Sequence, residues 1–440
     1  MGIYFGRTIS AILHDGHVSR NASHPPQQNW PYVSMANLTN PEEDVDVRKL
    51  IQTSHLWITR NSVPMIIAAL SALLLSFVDY EFYQKLTTAS FEGLSFFGHA
   101  LNLRLAGDFI LLGLFGLVGV EVVESRSPGG VLHNPKGAVN ILLATIGGVS
   151  VPPILYVGGV VLCYGFTSPT LSGWGCVTPT DIALSAIPAL FIFGAGHPAT
   201  KFLLLLAGLD DLIGIIIVAL VYPDPSHPLH LPWLGLSLAG VGIAKLMKYM
   251  GVRPWWLYVV GPGSLSLAGF ALSGVHFTLA LVPVVLCMPH ELRNRGEFEE
   301  PTSSEHSSVS EMKRILEHIL PYGLAIFSFA NCGVKFGQVG KLTGVVAISL
   351  VAGKTLGIAG GSWLASRFFR APRPVGISQS EMWLVSLLGG IGFTVSVFIG
   401  GIGLPAGEFR DSAVLGAALT NTIIIIGPVI SRFMRISRLE

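Results

Sequence analysis

Long apolar segments separated by short polar loops follow one another along most of the chain. A helix that spans a bilayer needs about 20 apolar residues, within a range of roughly 17–25. Segments near that length recur from residue 61 onward, and we predict twelve transmembrane helices. They are residues 62–79, 105–123, 138–163, 179–194, 200–221, 232–247, 254–269, 274–288, 317–334, 343–365, 382–402 and 411–431. The pattern predicts an all-α polytopic membrane protein.

Polar segments divide the chain further. We predict a polar cytoplasmic N-terminal tail over residues 1–58 and a twelve-helix membrane domain over 59–440. The polar loop 289–317 is interpreted as a linker between two halves, with a regulatory surface as the alternative. Residues 254–288 could form one long helix, but glycine and proline near 261–263 and Gly274 favour two short ones.

Composition supports a membrane location. The 440 residues are 51% hydrophobic and 12% charged, with a mean hydropathy of +0.61, whereas soluble domains carry about 25% charged residues. A net charge of +1 gives no basic surface for nucleic acid. The cysteines form no CxxC pair, and we interpret all four as small core residues. They are Cys163, Cys176, Cys287 and Cys332.

Lysine and arginine test the helix count, since cytoplasmic loops carry an excess of positive charge. With the N-terminus inside, thirteen basic residues fall in cytoplasmic loops and five in outer loops. The inner set is Arg126, Lys136, Lys201, Lys245, Lys248, Arg253, Arg293, Arg295, Lys313, Arg314, Arg367, Arg370 and Arg373. The outer set is Lys85, Arg104, Lys335, Lys341 and Arg410. This bias favours twelve helices with both termini cytoplasmic.

Six charged residues inside the predicted helices stand out. Each costs about 2.5–3.5 kcal/mol at the bilayer centre on insertion scales, so each needs a reason. They are Asp108, Glu121, Asp181, Asp210, Asp211 and Lys354. An excess of buried carboxylates is typical of a cation or proton pathway, because each must be protonated, paired or coordinated.

Asp181 follows a segment that cannot form a continuous helix. Pro179 lacks an N–H and clashes with the preceding turn, so we expect a short helix, an extended piece and a helix that starts near Thr180. Extended backbone in a membrane is tolerated only where it is buried or lines a cavity. Asp181 and Thr180 could belong to a functional site at such a cavity. Asp181 could also be the N-cap of the following helix, and the two roles are compatible.

Asp210 and Asp211 are neighbours in the middle of one helix, so their side chains point about 100° apart. One can face a cavity while the other meets a neighbouring helix. Lys354 could pair with a buried aspartate, and whether it is structural or also carries a proton stays open. A phosphate-binding loop at Lys354 is rejected, because Ile348 stands where the motif needs glycine.

A second interruption is predicted at residues 389–396, where three glycines fall within four residues. The two interruptions occupy corresponding places in 138–221 and 343–431, as expected for inverted repeats with two broken helices that cross at the midplane. Opposed half-helices carry partial charges at their ends. We therefore expect Asp181 to face helix N-termini and Lys354 to face C-termini.

The remaining charges carry weaker interpretations. Glu121 with Glu124 could form a cytoplasmic acidic funnel that attracts cations, or Glu121 could be a plain helix-end charge. Asp108 is grouped with them as a weak candidate for cation entry or pH response. His276 is interpreted as a satisfied core residue, with a titrating sensor as the alternative.

Together these segments resemble the NhaA family of sodium/proton antiporters. The matching pieces include Thr180-Asp181-Ile-Ala, Leu209-Asp210-Asp211-Leu, Phe329-Ala-Asn-Cys-Gly-Val334, Gly353-Lys354-Thr-Leu-Gly357 and Gly390-Ile-Gly-Phe-Thr394. Ser273-Gly-Val-His276 and Val120-Glu121-Val also fit. The resemblance covers roughly residues 61–435 in order.

The resemblance implies a function and a set of roles. Asp211 would be the main ion-binding carboxylate, with Asp210 beside it, paired to Lys354 in the proton-loaded state. Thr180 and Asp181 would support the site. Such proteins exchange two protons for one sodium or lithium ion, electrogenically and under pH control. They need no resident cofactor and lie in the bacterial inner membrane, usually as homodimers joined through a β-hairpin between the first two helices.

The chain departs from that family's pattern in three places. The polar N-terminal tail is longer than expected. Val122-Val-Glu124-Ser125 follows Glu121 where basic residues are usual in the pH-sensing cytoplasmic funnel of that family. Pro179 precedes Thr180 where a small residue is usual.

Three other functions stay as alternatives. A transporter that moves an organic anion with sodium could share the scaffold. A non-transporting structural subunit is disfavoured, because all three aspartates and Lys354 are present. An intramembrane aspartyl protease needs a GxGD aspartate, and the Ala-Gly-Leu-Asp210 sequence lacks it.

Overall fold

The computed structural model describes residues 62–90, 95–125, 135–194, 196–223, 229–290, 307–374 and 376–436. The predictions for the tail of residues 1–58 and for most of the loop 289–317 lie outside this part of the chain.

The described residues form helices and one short hairpin. The first part contains α1 (Val63–Val78), α2 (Tyr80–Thr88), β1 (Ser95–Phe96), β2 (His99–Ala100), α3 (Leu103–Ser125), α4 (Pro135–Tyr164), a 3-10 helix (Pro169–Val177), α5 (Ile182–Ile192) and α6 (Pro198–Val221). The second part contains α7 (Leu234–Tyr249), α8 (Trp255–Ser273), α9 (Val282–Val285), α10 (Ser308–Asn331), α11 (Leu342–Phe368), α12 (Gln379–Leu388), α13 (Thr394–Gly403) and α14 (Glu408–Phe433).

Several helices have the length and apolar character of membrane spans. Among the described residues six meet both criteria: α3, α4, α6, α8, α11 and α14. The 3-10 helix and α5 form a pair bent by 42° and give a seventh if they count as one span. The chain is therefore a helical membrane protein with several spans, whereas the predicted number of twelve is not confirmed.

Residues 254–288 are divided at Gly274, as predicted from the sequence. Helix α8 ends at Ser273, and Gly274 adopts a left-handed conformation with φ of 76°, which favours a residue without a side chain. The segment 274–288 contains only a 3-10 turn at Phe277–Leu279 and the short α9, rather than one continuous helix. Pro283, near the start of α9, cannot donate to a preceding turn.

Helices α4 and α11 approach until their backbones touch. A Cβ added to Gly357 of α11 would lie 2.2 Å from the carbonyl oxygen of Gly147, and one added to Gly361 would lie 2.1 Å from that of Leu143. Small residues allow such packing in membranes, where van der Waals contact drives helix association. At Gly148 an added Cβ would lie 2.9 Å from Cγ1 of Ile358 and 3.8 Å from Cδ of Lys354, so the Lys354 side chain lies beside α4.

A hairpin lies between α2 and α3, where the resemblance implies one. Its two strands pair in antiparallel register, with Ser95 opposite Ala100 and Phe96 opposite His99. The Phe96 ring packs against Phe109 and Phe277 of the same chain.

The main apolar core includes two of the four cysteines. Cys176 and Cys332 are buried in it, as predicted. Cys163 is exposed near the end of α4 and Cys287 is only partly buried, so the prediction that all four are core residues is wrong. In a membrane protein an apolar side chain does not need to be buried in protein, because lipid covers the outer face.

Candidate functional site

Two non-helical segments meet inside the molecule. Residues 178–181 separate the 3-10 helix from α5, and residues 389–393 separate α12 from α13. The backbone N–H of Asp181 donates to the carbonyl oxygen of Ile391 over 2.8 Å. The two interruptions predicted from proline and glycine are thus present and in direct contact. Non-helical backbone inside a membrane is stable only when its N–H and C=O groups form hydrogen bonds with other protein groups.

The carboxylate of Asp181 joins the N-termini of two helices. Its Oδ1 accepts the N–H of Leu184 in α5 over 3.0 Å, which makes Asp181 the N-cap of that helix. Its Oδ2 accepts the N–H of Thr394, the first residue of α13, over 3.0 Å, and the Thr394 hydroxyl over 2.6 Å. A negative group balances the partial positive charge of helix N-termini. The expected position of Asp181 at helix N-termini is therefore present.

Asp210 lies in a fully buried ion pair. Nζ of Lys354 donates to its Oδ2 over 2.5 Å, and both side chains are 0% exposed. The Thr180 hydroxyl has two acceptors within reach, the same Oδ2 at 2.7 Å and the carbonyl oxygen of Gly389 at 2.9 Å. Thr180 therefore links the ion pair to the C-terminal end of α12. Lys354 is connected to that helix end through Asp210 and Thr180, and the expectation that Lys354 itself faces helix C-termini stays a prediction.

Asp211 is the next residue in α6 and is not one of the two partners of that ion pair. It is 4% exposed, and its Oδ1 has no hydrogen-bond partner among the described residues. Three carboxylates, those of Asp181, Glu121 and Asp210, lie near enough to repel it, and Lys354 attracts it. A buried acceptor oxygen surrounded by negative charge is a position at which a proton or a small cation is stabilised. The different surroundings of the two aspartates agree with the predicted 100° separation.

Two of the weaker candidates lie in different places. Glu121 of α3 is half-buried, and its Oε2 would lie 2.9 Å from a Cβ added to Gly208 of α6, one turn from Asp211. Asp108 interacts instead with Arg410 at the start of α14. The structure therefore brings Glu121 to the aspartate pair and groups Asp108 with Arg410.

His276 packs among aromatic rings. It is 4% exposed, stacks on Phe277 at 5.3 Å between centroids and meets Phe398 edge-on at 4.8 Å. Its Nδ1 lies 3.0 Å from the Thr278 hydroxyl. These contacts favour the core interpretation over the titrating one. The side chain of Glu124 lies outside the described residues.

Sequence reasoning assigned no role to two residues that hold the crossing. Thr394 belongs to a glycine-rich segment that was noticed, but the motif does not reveal that its hydroxyl bonds to Asp181. Thr420 of α14 accepts the N–H of Gly392 over 3.2 Å and so supports the second interruption. A lone threonine in an apolar helix gives no signal of such a contact, because it can also bond its own backbone.

The arrangement as a whole suits binding of protons and small cations. One carboxylate is paired with a buried ammonium, and each of the two has an oxygen, Oδ1, without a hydrogen-bond partner among the described residues. A cation that reached Asp210 and Asp211 would compete with Lys354 and with protons for the same oxygen atoms.

Known proteins match the chain over nearly all of this region. The model of the family described as Na+/H+ antiporter 1 matches residues 57–435. The Na(+)/H(+) antiporter NhaA of Geobacter sulfurreducens is 36% identical over 379 residues, covering 86% of this chain and 97% of that protein. NhaA 1 of Pelobacter propionicus is 37% identical over 379 residues, with the same coverage. NhaA of Jannaschia sp. is 30% identical over 420 residues, covering 87% and 98%.

Proposed function

Since the chain belongs to the Na+/H+ antiporter 1 family, we propose that it exchanges sodium or lithium ions for protons across a bacterial inner membrane. The chain is a member of a transporter family, and sodium and protons are its substrates. The observation that carries the assignment is the buried pair of aspartates, one bonded to Lys354 and the other with an unpartnered oxygen.

Exchange follows from competition for the two carboxylates. Sodium that binds between Asp211 and Asp210 displaces the Lys354 ammonium from Oδ2 of Asp210 and any proton held by Asp211. Protons that bind expel sodium in turn, because a protonated carboxylate no longer attracts a cation. Thr180 and Asp181 act as positioning residues, since they connect the aspartates to the crossing of the two broken helices.

Two protons for one sodium ion is the proposed stoichiometry. Asp211 carries one proton, and the second is carried by Asp210 or by Lys354, which are alternatives. Either way one net charge moves in each cycle. The membrane potential then contributes about 2.3 kcal/mol per cycle for each 100 mV, which makes the exchange electrogenic. Regulation by pH, with Glu121, Glu124 and Asp108 as candidates, is part of the same proposal.

Alternating access requires the crossing to face each side of the membrane in turn. We propose twelve membrane segments arranged as inverted repeats, with both termini in the cytoplasm and the protein a homodimer. The paired interruptions at 178–181 and 389–393 support the repeats, and the excess of basic residues in alternate loops supports the orientation.

The test is proton flux in proteoliposomes driven by a sodium gradient. Asp211→Asn preserves size and shape but cannot alternate between a proton and sodium. We expect it to abolish sodium-dependent proton flux while the purified protein keeps its elution profile in detergent. Lys341→Met, at an exposed lysine, is the matched control and should keep the wild-type rate. Exchange near the wild-type rate in Asp211→Asn would overturn the assignment.

A further inference from the structure

Helices α3 and α13 are in contact beyond the crossing of the broken helices. Helix α13 begins at the crossing, where the Thr394 hydroxyl bonds to Asp181. One turn further along α13, the Phe398 ring packs edge-on against Phe115 of α3 at 6.0 Å between centroids and against His276 at 4.8 Å. The two phenylalanines are buried. An aromatic layer therefore joins α3 to the part of α13 that leads away from the crossing.

A second contact between α3 and the α13–α14 segment is ionic. The guanidinium of Arg410, in the first turn of α14, lies on the last turn of α13, where a Cβ added to Gly401 would be 3.2 Å from its Nη2. A cation is favoured at a helix C-terminus. Arg410 is attracted by Asp108 of α3 and by Asp411, and it is repelled by Arg104 of α3. Charged groups in a membrane protein require such partners, and the partner from α3 is Asp108.

The other end of α3 borders the aspartate site. Glu121 lies against Gly208 of α6, and Gly208 is on the same side of that helix as Asp211, three residues on. In the proposed orientation Glu121 is at the cytoplasmic end of α3 and Asp108 at the outer end. Alternating access requires Asp211, which is 4% exposed, to face both sides in turn. The contacts between α3 and the α13–α14 segment must therefore part when the site opens to the outside.

We propose that Asp108 and Arg410 form an outer latch, an ion pair that holds the outer side of the site closed above the aromatic layer of Phe115 and Phe398. The inference rests on the proposed function, because it names a contact that alternating access must break. The pair stabilises the closed state and not the state that is open to the outside. Its removal therefore shifts the equilibrium between the two states toward the open one.

A cysteine between the ionic and the aromatic layer reports the opening. Leu111 lies three residues after Asp108 and four before Phe115, so the three share one face of α3. Leu111 is 0% exposed, and a thiol at this position reacts with a water-soluble maleimide only when the layers part. Leu111→Cys is combined with Cys163→Ser, which removes an exposed native thiol. Modification of each cysteine is timed by peptide mass spectrometry on the purified full-length protein in detergent.

The two partners of the latch are neutralised separately and together. Arg410→Gln and Asp108→Asn should each speed modification of the reporter by about threefold to tenfold, as for an ion pair that is neither fully exposed nor fully buried. The double variant should be no faster than the faster single variant, because the pair is already broken in each. Lys341→Gln, which removes one positive charge from an exposed residue of the same predicted outer set, is the matched control and should leave the rate unchanged.

The buried native cysteines separate opening from loss of the fold. Cys176 and Cys332 are 1% and 0% exposed and should stay unmodified in every variant. A reporter rate that is unchanged in both single variants overturns the latch, and so does an effect that multiplies in the double variant. A rise that Cys176 and Cys332 share reports general loosening and overturns it as well. The proposed function fails on a separate measurement, the absence of sodium-dependent proton flux in the wild type in vesicles that hold a proton gradient.

Discussion

Replacement of Lys354 by methionine isolates the energy of the buried ion pair. Lys354 and Asp210 are both 0% exposed and are joined over 2.5 Å. Loss of one partner of a buried pair costs about 3–5 kcal/mol, because the other charge is left without compensation in a medium that solvates it poorly. Methionine fills a similar volume, so little of the expected loss comes from packing.

The change in thermal stability follows from the size of the protein. At about 2.1 cal/mol/K per residue, residues 57–435 have an unfolding entropy of about 0.8 kcal/mol/K. A loss of about 3–5 kcal/mol then lowers the unfolding midpoint by about 4–6 °C. The midpoint is measured on purified protein in detergent by loss of the monodisperse peak after heating.

A double-mutant cycle decides whether the pair is the cause. Asp210→Asn alone leaves the ammonium of Lys354 unpaired and should also destabilise the protein. Asp210→Asn with Lys354→Met removes both charges and should be more stable than the sum of the single effects by about 2–4 kcal/mol. Lys341→Met serves as the exposed-lysine control. Strict additivity of the two single substitutions would refute the reasoning.

Three further predictions concern contacts that join separate segments of the chain. Thr394→Val removes the hydroxyl that Asp181 accepts over 2.6 Å and should cost about 1–3 kcal/mol in thermal unfolding, whereas Thr394→Ser should not. Gly357→Ala places a Cβ 2.2 Å from the oxygen of Gly147 and should abolish recovery of monodisperse protein, whereas Gly360→Ala, with nothing within 4 Å, should not. Tyr83→Phe removes the hydroxyl that donates to Phe329 O and accepts from Gly333 N. The substitution should lower the free energy of unfolding by about 1–3 kcal/mol. Tyr249→Phe, at a residue that is 90% exposed, is the control.

The sequence predicted the crossing of the broken helices well. Proline before Thr180 and three glycines near residue 390 disfavour continuous helices, and both interruptions occur where these residues place them. The pairing of a buried lysine with a buried aspartate was also expected, because neither charge is stable alone in an apolar interior. The residue types at single positions determine these features, so they can be predicted from the sequence alone.

Contacts between distant helices could not be read in this way. The placement of Glu121 on Gly208 depends on how α3 and α6 pack, which no local pattern encodes. The hydroxyl of Thr394 on Asp181 depends likewise on the meeting of two interruptions far apart in sequence. The length of the helical pieces in 274–288 was also missed, since apolar composition alone does not distinguish a continuous helix from short turns.

Release of protons from purified protein on addition of sodium tests the central claim most directly. In weakly buffered detergent solution, sodium chloride should release protons from the wild type, whereas choline chloride should not. Asp211→Asn should release few or none. Sodium binding that releases no protons from the wild type at any pH near neutrality would contradict competition of the two ions for the same carboxylates.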